Sequence, residues 1–243
     1  MSVHQPTDSE GLASNRRQMD RMYRFQRHIY DASRRFYLLG REQLIEELDV
    51  QPGGTVLEIG CGTGRNLVKV AQAYPEAKVF GFDISDEMLK TAGQSIWKAG
   101  LADRVRIAQG DALKADPFVM FGLRTFDRIF FSYALSMIPN WQTALSQSMR
   151  LLEPDGRLHV VDFGQCESLP GLSKTLLFYW LRQFEVEPRA SMRQEIEHIA
   201  GLDNRQWSFS QGFRGYSWNL VVGPSVGAGT GKNASMNSMA LFR

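Results

Sequence analysis

The sequence predicts an α/β fold built on a parallel sheet, and three observations carry that expectation. Apolar strand patterns alternate with helical patterns over residues 56–163, an order that implies right-handed crossovers. The first strand pattern, Val56-Leu57-Glu58-Ile59, runs directly into Gly60-Cys61-Gly62-Thr63-Gly64, and a helical pattern begins at Asn66. The second, Val79-Phe80-Gly81-Phe82-Asp83-Ile84, ends in an acid nineteen positions after Gly64. A loop poor in side chains at the carboxyl end of a buried strand is where open α/β sheets take ligands.

Each element follows in order. Residues 1–14 are polar and expected to be disordered. Asn15 can cap a helix over 15–39. On it Tyr23, Tyr30 and Tyr37 recur every seven residues and share a face. Phe25, Ile29, Ala32 and Phe36 form a neighbouring apolar stripe, with Arg17, Arg21, Arg24 and His28 opposite. Gly40 interrupts the pattern, and 41–48 reads as a second short helix, so 15–49 forms a helical cap. Pro52-Gly53-Gly54 turns the chain into the domain of 50–222.

Within that domain a helix over 87–99 follows Asp83, and Gly110-Asp111-Ala112 closes a third strand over 105–108. A fourth strand is expected over 126–131, then a helix over 141–152 capped by Asn140 and ended by Glu153-Pro154-Asp155-Gly156. A fifth strand covers 157–163 and a helical insertion 165–201, whose stretch 172–184 is rich in Leu, Phe, Tyr and Trp. The last two strands fall at 206–210 and 216–222, and 223–243 reads as a flexible tail of Gly, Ser, Asn and Ala. Helices on both faces of a seven-stranded sheet result.

Composition narrows the function. The chain has 243 residues, 43% of them hydrophobic, enough for one α/β domain and a modest appendage. A net charge of +2 gives no global case for nucleic acid. The charge is unevenly placed: Arg16, Arg17, Arg21, Arg24, Arg27, Arg34, Arg35 and Arg41 face only Asp20 and Asp31 over 16–41. Such a segment favours an anionic membrane surface or an acidic ligand. Cys61 and Cys166 give no disulfide framework and read as reduced thiols in a cytoplasmic protein. No apolar run approaches the roughly 20 residues of a membrane span, so any membrane contact is expected to be peripheral. The histidines are scattered without metal-ligand spacing.

The glycine spacing is GxGxG, not the dinucleotide GxGxxG. Together with strand-end Asp83 and Gly110-Asp111-Ala112, it resembles the class I S-adenosylmethionine-dependent methyltransferases. That resemblance implies a Rossmann-like sheet of seven strands, mostly parallel with one antiparallel strand, and S-adenosylmethionine as cofactor. Asp83 would accept hydrogen bonds from the ribose hydroxyls, and Asp111 from the adenine amine, with the Ala112 N–H on a ring nitrogen. Ile84 and Met88 would wall the adenine. The methionine end would meet the loop of Gly60, Cys61, Gly62 and Gly64, where Glu58 and backbone carbonyls receive the ammonium. Tyr30, Tyr37 and Arg41 are placed to hold its carboxylate, and Ser132 ends the fourth strand beside the sulfonium.

A second resemblance is more specific. The run from Met19 to Glu42, containing Tyr23, His28, Tyr30, Tyr37 and Arg41, closely resembles the start of the betaine-lipid N-methyltransferases, which convert diacylglyceryl-homoserine to its trimethylated form in three steps. This implies a lipid substrate at an anionic membrane surface and a partner 3-amino-3-carboxypropyl transferase that makes it. Arg34, Arg35 or Arg41 would bind the homoserine carboxylate. His28, Tyr133 and Asp162 are candidate bases for the amine proton, with Tyr37 also placed at the reaction. Tyr23, Phe36, Tyr37, Tyr133, Trp141 and Phe163 are candidate aromatic walls for a cation that grows with each methyl. Other lipid-amine methyltransferases, phosphatidylethanolamine N-methyltransferases among them, and quinone C-methyltransferases are the neighbouring alternatives.

Overall fold

The computed structural model describes residues 38–184 and 186–225. The helix expected over 15–39 therefore lies outside the described residues, apart from Leu38 and Leu39, which are not helical. Of the flexible tail expected at 223–243, residues 223–225 belong instead to the last strand, and the remainder lies outside the described residues.

Seven strands form one sheet in the order β3-β2-β1-β4-β5-β7-β6. They are β1 Thr55–Ile59, β2 Lys78–Asp83, β3 Val105–Gln109, β4 Phe126–Ser132, β5 Leu152–Phe163, β6 Arg205–Gly212 and β7 Ser217–Ser225. Only β7 runs against its neighbours, pairing antiparallel with both β5 and β6. Among the described residues the helices are α1 Arg41–Glu47, α2 Arg65–Ala73, α3 Asp86–Lys98, α4 Pro117–Phe121, α5 Trp141–Arg150, α6 Gly171–Arg182 and α7 Met192–Leu202.

Alternation along the strands builds two cores. Leu57, Ile129, Phe131 and Val160 point to one face, where Trp141, Leu145, Ile196 and Ile199 of α5 and α7 cover them. Val56, Val79, Phe130 and Val161 point to the other, under Leu44, Leu67, Ile96 and Leu181 of α1, α2, α3 and α6. Burial on both faces explains why the central strands read as nearly continuous apolar runs.

Three local features differ from the sequence expectation, and the first two have evident physical causes. β5 starts at Leu152, five residues before the expected Arg157. Phe126 and Leu152 are both buried and pair across the sheet, and a bulge absorbs Glu153-Pro154-Asp155-Gly156 before pairing resumes at Arg128 and Arg157. Helix α4, unexpected from periodicity, is only five residues long and rests on local chemistry. Pro117 opens it and the Asp116 side chain accepts from the Phe118 N–H at 2.9 Å. Asn140 does precede α5, but its side chain makes no capping bond.

Among the described residues no helix is long and apolar enough to cross a membrane.

Candidate active site

Strand order reverses between β1 and β4: the chain builds outward through β2 and β3 on one side and through β4 and β5 on the other. The glycine loop leaves β1 at this switch point, where diverging crossovers open a crevice. Its backbone is tied down from beneath. The N–H groups of Gly60 and Cys61 both donate to the Phe82 carbonyl, at 2.9 and 3.1 Å, and the Gly62 N–H donates to Asp83 Oδ2 at 2.8 Å.

The glycines serve different ends. Gly64, at φ 74°, opens α2 and lies so near α3 that an added Cβ would stand 2.9 Å from the Ala92 Cβ. Gly62, at φ 53°, faces open space, with nothing within 4 Å of an added Cβ. The first is a packing requirement; the second leaves room for a ligand against the backbone.

Around that space the fold gathers Leu38, Arg41, Glu58, Cys61, Thr63, Arg65, Asn66 and Ser132. Glu58 is buried on β1, and the Asn66 Nδ2 donates to its Oε1 at 2.7 Å. Its Oε2, the Asn66 Oδ1 and the Ser132 Oγ are buried with no hydrogen-bond partner among the described residues. Burial raises the Glu58 carboxyl from 4.5 to about 8, against the lowering effects of Asn66 and Arg41 and helped by nearby Asp83. Desolvation wins because the site holds one hydrogen bond and one cation where water would give several. Arg41 is itself buried, and its Nε donates to the Leu38 carbonyl at 3.1 Å.

Asp83 is buried at the end of β2, with Oδ1 accepting from the Ser85 N–H at 2.9 Å while Oδ2 holds Gly62. A carboxylate oxygen has two lone pairs and can accept more than one hydrogen bond. Asp111 lies just beyond the end of the adjacent β3, and its Oδ1 accepts from the Leu113 N–H at 2.9 Å, the turn-capping role. Ile84 is half-buried, Met88 buried, and Ala112 partly buried against the first core. The fold thus brings Glu58, the glycine loop, Asp83 and Asp111 to one end of three adjacent strands.

Other expected residues fall elsewhere. Tyr133 follows β4 at φ 55°, and its hydroxyl donates to the Leu39 carbonyl at 2.6 Å. Burial, with Tyr216 and Asp162 nearby, pushes that hydroxyl well above the usual tyrosine range. This does not suit a base, and Tyr133 instead ties the chain before α1 to the sheet. Asp162 is fully buried and raised to about 6 by desolvation, its oxygens accepting from the Ser136 and Phe163 N–H groups. It orders the loop after β4. Phe163 packs edge-on to Tyr133 with ring centroids 4.6 Å apart, but Trp141 belongs to the core on the opposite face of the sheet. Trp141 therefore cannot share an aromatic wall with them. Burial also pushes the Cys61 thiol up, leaving it an inert part of the loop. Tyr23, His28, Tyr30, Arg34, Arg35, Phe36 and Tyr37 lie outside the described residues.

Two residues were not singled out from sequence: Asn66, which orients Glu58, and Arg65, which pairs with Glu42 of α1 at 3.0 Å. A polar pair opening the helix after a glycine loop was the available signal. Among the described residues no three His, Cys, Asp or Glu side chains cluster as a metal site would require.

A family described as "Methyltransferase domain" matches residues 51–211. The chain belongs to that family. This methyltransferase is 27% identical over 172 residues to the demethylmenaquinone methyltransferase of Geobacillus kaustophilus, covering 70% of this chain and 67% of that one. It is 28% identical over 141 residues to the enzyme of the same name from Listeria monocytogenes, covering 58% and 57%. The matched part thus spans roughly three-fifths of such relatives. Among solved structures, a SAM-dependent methyltransferase from Aquifex aeolicus superposes with a TM-score of 0.57 at 21% identity, covering 78% of this chain and 92% of that one. Phosphoethanolamine N-methyltransferase 2 of Haemonchus contortus, in complex with S-adenosyl-L-methionine, gives 0.62 at 18% identity, covering 76% and 52%. The protein is a methyltransferase by family, and its fold is that of the solved S-adenosylmethionine-dependent methyltransferases. The residues present fit S-adenosylmethionine: the buried oxygens of Glu58, Asn66 and Ser132, without partners among the described residues, would meet its amino-acid end, and the open face of Gly62 would admit a close ligand.

Proposed function

We propose that this methyltransferase methylates the amine of a lipid headgroup, converting diacylglyceryl-homoserine to its trimethylated betaine in three successive transfers. The observation that carries the reading is the run from Met19 to Glu42, with its arginines and tyrosines leading directly into Arg41 at the cavity. S-adenosylmethionine, when bound, supplies an electrophilic methyl on a positively charged sulfur. Asp83 receives the ribose hydroxyls, Asp111 the adenine amine, and Glu58 the ammonium, while Arg41 meets the carboxylate. Ile84, Met88 and Ala112 border the adenine.

The amine attacks as its free base. The C–N bond forms as the C–S bond breaks, the electron pair passes to sulfur, and the sulfonium charge is lost. The chain's contribution is alignment, which supplies several kcal/mol of a displacement barrier. Water or His28, which lies outside the described residues, takes the amine proton between rounds, since the Tyr133 hydroxyl and the Asp162 carboxylate are engaged elsewhere. Tyr133 and Phe163 pack edge-on to one another in the cluster that includes Leu38, a residue of the cavity wall.

One observation favours a second reading. The relatives bear the name demethylmenaquinone methyltransferase, which points to carbon methylation of a quinone. Lipid mass spectrometry separates the two. Cells that make diacylglyceryl-homoserine are expected to accumulate its mono-, di- and trimethylated forms only when this protein is present. Unchanged precursor, with purified protein methylating a demethylmenaquinol instead, would replace the first reading by the second.

A further inference from the structure

Helix α6 carries its apolar side chains on the wrong side for a packed helix. Of its twelve residues only Leu181 is buried. Leu177 and Phe178 are half-buried against the core under α1 and α2. Leu172, Leu176 and Tyr179, at i, i+4 and i+7, share the opposite face and are 76%, 61% and 66% exposed. Trp180 flanks that stripe and is stacked edge-on against Phe184. Burying this face in water-free surroundings is favourable, and leaving it wet is not.

Its charge says what covers it. Helix α6 contains Lys174 and Arg182 and no acid. The chain just before it is joined to the turn of Phe213, Arg214 and Gly215, where the Ser168 N–H donates to the Arg214 carbonyl at 3.3 Å. That turn adds an exposed Phe213, 57% accessible, and an exposed Arg214. The nearby Glu167 is occupied by Gln211 and Trp218, at 3.0 and 3.1 Å. Lys174 lies over the ring of the inward Phe178, so the cations offered to the outer face are Arg182 and Arg214, and exposed apolar side chains with such cations nearby suit a bilayer surface with anionic headgroups.

We propose that the outer face of α6, continued by Phe213 and Arg214, docks this enzyme on an anionic membrane. The inner face of the same helix packs on the cluster of Leu38, Tyr133 and Phe163. Leu38 also borders the cavity. The inference shares with the proposed function the idea of a lipid acceptor, but its test does not depend on which acceptor is used.

The experiment is flotation of the full chain with vesicles of phosphatidylcholine alone and of phosphatidylcholine mixed with phosphatidylglycerol. Binding is expected to the mixed vesicles and to weaken with salt. Leu172→Gln with Leu176→Gln, both at exposed positions, should weaken it by at least about tenfold while leaving the circular dichroism and S-adenosylmethionine affinity unchanged. Retained flotation of that double variant would overturn the proposal and shift binding to another segment, such as the arginines of 16–35. Concentration-dependent self-association that the double variant abolishes, with no vesicle binding by either protein, would overturn it in favour of a contact between copies. Loss of methyl transfer to lipid with flotation intact would count against the acceptor and not against the docking face.

Discussion

The Tyr133 hydroxyl donates a 2.6 Å hydrogen bond to the carbonyl of Leu39, 94 residues earlier in the chain. This bond fixes the entry to α1, and with it Leu38 and Arg41, over the carboxyl ends of β4 and β5. An added Cβ at Gly40 would stand 3.3 Å from Val161 and Asn219, so the backbone passes close to the sheet there. Removing the hydroxyl alone should loosen that passage by about 1 kcal/mol. Tyr133→Phe is therefore expected to raise the KM for S-adenosylmethionine about fivefold, with a smaller effect on kcat. The pH profile of kcat should keep its shape. Loss of one limb of that profile would restore Tyr133 as a base.

Asp83 binds the glycine loop through one oxygen and the start of α3 through the other. Asp83→Ala leaves the Gly62 and Ser85 N–H groups without their acceptor and removes the proposed ribose contact. Charged hydrogen bonds of this kind are worth about 2 to 3 kcal/mol, or roughly thirty- to 150-fold in affinity. Isothermal titration with S-adenosylmethionine measures it. Affinity within a few-fold of the parent would remove Asp83 from the ribose site.

Gly62 and Gly64 should respond differently to the same substitution. Gly62→Ala meets no atoms and suffers only its positive φ, a cost of about 1 kcal/mol. It should fold and fail to bind cofactor, because the new methyl points into the open space. Gly64→Ala meets Ala92 as well, and overpacking brings its cost to about 2 kcal/mol or more. Thermal melts and binding assays on the two variants give opposite patterns if the assignment holds.

Glu58 makes both folding and binding depend on pH. Its carboxyl ionises near 4.5 when unperturbed and at about 8 in the folded chain. Between those values the unfolded state binds fewer protons, so stability falls as pH rises through the window. Glu58→Gln should flatten that slope, as denaturant titrations across the window would reveal. If Glu58 receives the cofactor ammonium, binding at neutral pH should release about one proton. Calorimetry in two buffers of different ionisation enthalpy reads that proton directly, and Glu58→Gln should release none.

Most of the sheet was legible in the sequence because buried strands and one-sided helices must alternate in an α/β chain. The GxGxG loop and Asp83 were legible for a related reason. They sit at strand ends, where the strand pattern itself reports position. Asp111 was legible as a residue next to the site, although its Leu113 bond came only with the fold. The extended start of β5 and the short helix α4 were not legible. One depends on a cross-strand pair between Phe126 and Leu152, the other on a cap of a helix too short to show a period.

Residues close in the chain suffice for the alternating α/β order, the glycine loop and the acids that follow it. Tertiary structure alone decided which side chains are spent and which remain available. It put Tyr133 on Leu39, set Asp162 against Ser136, moved Trp141 to the other face of the sheet and left Glu58 Oε2 buried without a partner among the described residues. Hydrogen bonding and desolvation act between groups far apart in sequence, so these roles exist only once the chain has closed around them.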